Sequence, residues 1–87
     1  MSGALDVRLF GGYKKMQVLQ YVDRLTNEIM ALEIALQKKK NGESYTLPPE
    51  TAPCKLKKCL LGGFSCKDVD LYIEDMRNKC RELREKL

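Results

Sequence analysis

The chain contains no histidine. That removes the side chain best suited to moving protons near neutral pH, and the commonest metal ligand with it. No glycine-rich phosphate loop opens a helical pattern, and the carboxylates fall mostly on solvated helical faces, so no catalytic residues are expected and the protein reads as a non-enzyme. No run approaches the ~18 apolar residues of a membrane span. Met1 to Phe10 lacks the basic start and apolar core of a signal peptide, which gives a soluble, cytoplasmic expectation. Cysteine is present but badly spaced for metal: Cys54, Cys59, Cys66 and Cys80 include no C-x2-C pair. The expectation is reduced thiols with no metal and no cofactor; a Cys54–Cys59 disulfide would need an oxidising compartment.

What the sequence does contain is one unit written twice. Leu9 to Leu36, LFGGYKKMQVLQYVDRLTNEIMALEIAL, shifted by 51 positions becomes Leu60 to Leu87, LLGGFSCKDVDLYIEDMRNKCRELREKL. Gly11/Gly62, Gly12/Gly63, Val18/Val69, Tyr21/Tyr72, Asn27/Asn78, Leu32/Leu83 and Leu36/Leu87 are identical. An 87-residue chain forms one domain at most and buries little apolar surface, so it needs a very regular helical core or a partner. The domain therefore divides into a first repeat of about residues 5–40, an extended linker at 41–53 and a second repeat of about 54–87.

Each repeat opens with a short extended arm. Leu5 to Phe10 alternates in the manner of a strand, Cys54 to Leu61 resembles it, and Gly11-Gly12 and Gly62-Gly63 each permit a tight turn. The period then becomes helical. Val18, Val22, Leu25, Ile29, Leu32 and Leu36 are spaced 4, 3, 4, 3, 4, and Val69, Ile73, Met76, Cys80, Leu83 and Leu87 repeat that spacing. The first helix should fade through Lys38-Lys39-Lys40 and stop at Asn41-Gly42, while Ser65 followed by Asp68 offers an N-cap for the second. The fold class is thus mainly α: two helices paired as a parallel coiled coil with pseudo-two-fold symmetry.

The flanking charges decide which helix pairs with which. Glu28 and Glu33 occupy the g and e positions of the first seam; Lys79 and Arg84 occupy those of the second. Pairing one repeat with the other gives Glu28–Arg84 and Glu33–Lys79, both attractive, whereas either helix with its own copy gives only like charges. Each exposed pair is worth only ~0.3–0.5 kcal/mol, so the effect is on choice of partner. A parallel return of roughly 35 Å along a helix is within reach of the proline-stiffened linker, at about 3.3 Å per extended residue. The result is a monomeric pseudo-dimer, or a domain-swapped or higher oligomer that satisfies the same charges.

The double motif, FGGY-KKMQ-VLQYVD and LGGF-SCKD-VDLYIE, resembles the N-terminal signature of the DivIVA/GpsB-type bacterial division and polarity proteins. The resemblance implies a parallel helical pair whose preceding arms interlock at one end. It also implies an apolar tip presented to the membrane with basic support, or a domain that docks short segments of partner proteins. The tandem would replace a homodimer by a single-chain pseudo-dimer. Leu61 stands where the first copy has the aromatic Phe10, and Gly11 and Gly62 stand where the family usually has a basic residue.

On that reading the candidate tip comprises Leu9, Phe10, Gly11, Gly12, Leu60, Leu61, Gly62 and Gly63, with Arg8, Lys14, Lys15, Lys57, Lys58 and Lys67 as basic support. Apolar wedges ringed by cations suit an anionic membrane surface, at roughly 1 kcal/mol per nearby Lys or Arg. The alternative is that these apolar residues pack where the arms cross. Tyr21 and Tyr72 should cover the seam with their hydroxyls in water, and Tyr45 or Leu47 should fold back on the apolar face of Met30, Ala31, Ile34 and Ala35. The functional expectation is a scaffolding module with a protein partner, associated with bacterial division or the envelope and peripheral at the inner face of the membrane. The alternative function is a small nucleic-acid-binding protein. Basic residues outnumber acidic ones only 16 to 12, and the lysine runs lack interleaved aromatics, which makes nucleic acid the weaker partner.

Overall fold

A computed structural model describes residues 11–87. Within them two helices, α1 (Lys15–Lys40) and α2 (Cys66–Glu85), pack against each other. No strand forms among the described residues, only isolated antiparallel bridges from Tyr13 to Lys58 and Phe64. The first arm, Leu5 to Phe10, lies outside the described residues, as do the tip positions Leu9 and Phe10 and the basic Arg8.

Helix α1 remains helical through its three lysines, whose charges face the negative end of the helix dipole. It stops by a Schellman arrangement. Glu43 N–H donates to Lys38 O at 2.9 Å and Gly42 N–H to Lys39 O at 3.1 Å, with Gly42 at φ 74°, a left-handed conformation that glycine adopts without steric cost. Neither helix starts with a side-chain cap. Ser65 sits at the cap position of α2, but its hydroxyl makes no capping bond, and Asp68 in the first turn is left to act through charge alone.

The core falls into two clusters along the helices. Val18, Tyr21, Leu25, Val69 and Ile73 form one; Leu32, Cys80 and Leu83 form the other. Val18, Leu25, Leu32 and Val69 are almost wholly buried, and each such side chain contributes about 1.5–3 kcal/mol. The remaining seam positions, Val22, Ile29, Leu36, Met76 and Leu87, pack against these clusters only half-buried. Two helices alone cannot enclose both edges of a seam, so part of each such residue stays in water.

The linker is not a free tether. Its residues run back along the helices and touch both: Tyr45 Oη donates to Leu87 O at 3.0 Å, Arg84 Nη2 to Pro48 O at 2.9 Å, and Thr51 N–H to Glu28 Oε1 at 2.8 Å. Lys57 N–H then donates to Gln17 Oε1 at 2.8 Å near the start of α1. Tyr45 lines a cleft with Ala31, Ile34 and Ala35, so the apolar end of α1 does receive it. Leu47 stays out at 53% exposure, and Met30 and Ile34 remain more than half exposed.

Candidate interaction tip

Two segments cross where the repeats begin their helices. Tyr13 and Phe64, one repeat length apart, exchange both backbone hydrogen bonds: Tyr13 N–H to Phe64 O at 2.8 Å and Phe64 N–H to Tyr13 O at 3.0 Å. Lys14 N–H donates to Lys57 O at 2.9 Å and Cys59 N–H to Gly12 O at 2.8 Å, which fixes the second arm beside the first glycine pair. The glycines are required by this approach. A Cβ on Gly12 would stand 2.6 Å from Phe64 O, and one on Gly63 would stand 2.5 Å from Tyr13 O and 2.6 Å from Cys59 Sγ.

The crossing has consequences for the side chains. Tyr13 Oη donates to Asp70 Oδ1 at 3.0 Å, and burial, then the Asp70 carboxylate, push the phenol above its ordinary pKa of 10.0. Lys15 Nζ lies 5.9 Å from the Phe64 ring centre, within cation–π range. Cys59 Sγ lies 3.3 Å from both Gly12 O and Gly62 O, which share its single proton, and Cys66 Sγ donates to Gly11 O at 3.4 Å. These thiols stitch the crossing. All four cysteines are free, and among the described residues no group of three metal-ligating side chains gathers.

Leu60 and Leu61 project from this crossing, 87% and 68% exposed. Lys14, Lys15, Lys57, Lys58 and Lys67 are exposed as well, and the backbone pairing of residues 12–14 with residues 57–59 brings the first four onto one end of the molecule. Gly12 and Gly63 are buried in the crossing, while Gly11 stands exposed.

A second polar feature lies midway along the helices. Glu28 is buried at 8% exposure, not at a solvated seam edge as its g position suggested. Its Oε2 accepts from Arg84 Nη2 at 2.9 Å and Nε at 3.2 Å, while Oε1 accepts from Thr51 N–H. Burial alone would raise the Glu28 carboxyl; the Thr51 N–H and the Arg84 guanidinium outweigh it and hold the pKa below 4.5. Beneath lies Cys80, whose thiol is pushed up to about 11 by burial and then by Glu28. Cys80 is buried and packs with Leu32 and Leu83.

No family model, curated protein or solved structure matches this chain.

The companion contact expected between Glu33 and Lys79 does not form; both side chains are exposed, where an ion pair gains little over hydration. Tyr21 is likewise not a solvated lid. It is 4% exposed, and its hydroxyl accepts from Arg77 Nη1 at 2.9 Å, whereas Tyr72 is 39% exposed. Sequence reasoning missed Pro48, Thr51 and Arg77. The two linker contacts use main-chain atoms, which leave no trace in residue type, and Arg77 occupies a position whose counterpart is Thr26. Among the described residues no helix is long and apolar enough to cross a membrane.

Proposed function

We propose that this chain is a non-enzymatic, DivIVA-like interaction module, a single-chain parallel coiled-coil pair whose Gly-Gly tip meets an anionic membrane surface while the helices carry a protein partner. A role in bacterial division or at the envelope follows from that likeness. The observation that carries the reading is the pair Leu60 and Leu61, exposed at 87% and 68% among lysines on one end of the molecule. Large apolar side chains in so small a domain belong in its core unless something else covers them.

The parallel pairing is supported by the order of contacts. Tyr13 meets Asp70, Tyr21 meets Arg77, Glu28 meets Arg84 and Lys39 meets Lys86, so partners advance together along both helices. A nucleic-acid reading lacks such support. Lys38 to Lys40 end α1 and Lys14 precedes it, about 39 Å away over 26 residues at 1.5 Å each, so the lysine runs form no continuous stripe.

Sedimentation with vesicles tests the reading. Vesicles rich in phosphatidylglycerol should carry the protein down and neutral phosphatidylcholine vesicles should not. Leu60→Glu with Leu61→Glu should cut the bound fraction at least fivefold. Binding that ignores both substitutions, or no binding at all, contradicts the membrane part of the proposal, and a strongly salt-dependent shift of DNA or RNA would favour the nucleic-acid alternative.

A further inference from the structure

The linker segment Pro48–Thr51 sits on the helix pair as a peptide sits on a receptor. Its two short contacts use its main chain: the Pro48 carbonyl accepts from Arg84 at 2.9 Å, and the Thr51 N–H donates to Glu28 at 2.8 Å. Its side chains make the longer polar contacts. Glu50 is 80% exposed with its carboxylate 3.9 Å from Arg84 Nε, and Thr51 Oγ1 reaches Arg24 O only at 3.4 Å. Main-chain readout of this kind tolerates many side chains, as in other extended-peptide sites.

The segment also leaves space beside it. A cleft of about 320 Å³ opens toward α2, floored by Leu25 and Cys80 and walled by Arg77 and Arg81. Another of about 340 Å³ opens toward Arg24, Asn27 and Ala31 of α1. The receiving groups are bonded to each other as well as to the segment, through Glu28 Oε2 and the Arg84 guanidinium. If the segment lifted, Glu28 Oε1 and one Arg84 N–H would face the groove in place, ready for another donor and acceptor.

We propose that this groove is a peptide-docking site kept shut by the chain's own Pro48–Thr51 segment. Its partner is an extended, proline-containing stretch of another protein that offers a carbonyl to Arg84 and, three residues on, an N–H to Glu28. The inference names the partner surface within the interaction-module reading and rests on that reading, but it uses a different face from the leucine tip. A tethered segment enjoys an effective concentration on the order of millimolar, so a competing stretch must exceed that or fill the two clefts with its own side chains.

The test uses a capped hexapeptide with the sequence of residues 47–52, LPPETA, titrated into isotope-labelled protein. Two full-length variants open the groove. Thr51→Pro removes the N–H that reaches Glu28 together with the hydroxyl that reaches Arg24 O, so Thr51→Val, which loses the hydroxyl alone, serves as its control, and replacement of residues 47–52 by alternating Gly and Ser removes the segment's whole character. Amide shifts at Leu25, Glu28, Cys80 and Arg84 should saturate at low-millimolar peptide in both variants and at least tenfold higher in the intact chain. Adding Glu28→Gln or Arg84→Gln should weaken binding at least tenfold, and Leu60→Glu should leave it unchanged even where vesicle binding is lost. The proposal is overturned if a variant that keeps its helical circular dichroism shows no shifts at those concentrations, or shows shifts that survive both Glu28→Gln and Arg84→Gln. Should the Gly-Ser chain unfold, Thr51→Pro alone decides the matter.

Discussion

Glu28 and Lys79 occupy the same position in the two repeats, as do Tyr21 and Tyr72, yet the molecule treats them differently. Glu28 and Tyr21 are buried at 8% and 4% exposure; Lys79 is exposed and Tyr72 is 39% exposed. The difference follows the linker. A duplicated helix pair has two equivalent flanking grooves, but a single chain has one linker, and it runs over the groove that contains Glu28 and Arg84. Tyr21 finds Arg77 on that side. On the other, the residue equivalent to Arg77 is Thr26, which turns its hydroxyl to Val22 O at 2.8 Å and offers Tyr72 nothing. The two helices supply matching seam positions, and the linker makes the surroundings of matching residues differ.

The largest expected effect compares backbone positions at the crossing. Gly63→Ala should destabilise the fold by about 3 kcal/mol, since the added carbon meets Tyr13 O and the φ of 86° disfavours it, whereas Gly62→Ala, at φ 74° with open space around it, should lose about 1 kcal/mol. Urea unfolding of both variants measures the difference, and equal losses would remove the close crossing from the account. Next comes the polar hub. Glu28→Ala should cost about 2–3 kcal/mol, because Arg84 and the Thr51 N–H both lose a partly buried partner, while Lys79→Ala should stay within about 0.5 kcal/mol. Similar losses at the two sites would mean that the linker makes no difference.

Acid sharpens the same comparison. Glu28 has a folded pKa below its ordinary 4.5, so its stabilisation is complete above that value and is lost as pH falls through the lower folded value. The melting temperature of the wild type should therefore drop more steeply in that range than that of Glu28→Gln, and parallel curves would contradict the assignment. The smallest effect belongs to the tyrosines. Tyr21→Phe should lose about 1 kcal/mol by leaving Arg77 without its phenol, and Tyr72→Phe only a few tenths.

Much of the helical layout was legible because it rests on local periodicity. The 4, 3, 4 spacing gave both helices, Asn41-Gly42 gave the end of α1, and the g-to-e rule gave Glu28 with Arg84. What stayed hidden depends on contacts that residue type does not encode. Thr51 binds Glu28 through its main chain, so no spacing announces it, and without it the burial of Glu28 cannot be foreseen. Ser65 has the right chemistry for a cap but makes no capping bond, so the residue marks where α2 begins without fastening it. Of the tip, the exposure of Leu60 and Leu61 could not be read from sequence, since apolar residues beside a glycine pair serve equally to fill a crossing.

The central claim is that the two repeats lie side by side in the same direction within one chain. Isotope-filtered nuclear Overhauser spectra of an equal mixture of labelled and unlabelled protein test it most directly. The account predicts methyl contacts between Val18 and Val69 and between Leu32 and Leu83, all within a single chain. Contacts of Val18 with Leu83, or Val18–Val69 contacts found only between labelled and unlabelled chains, would contradict it.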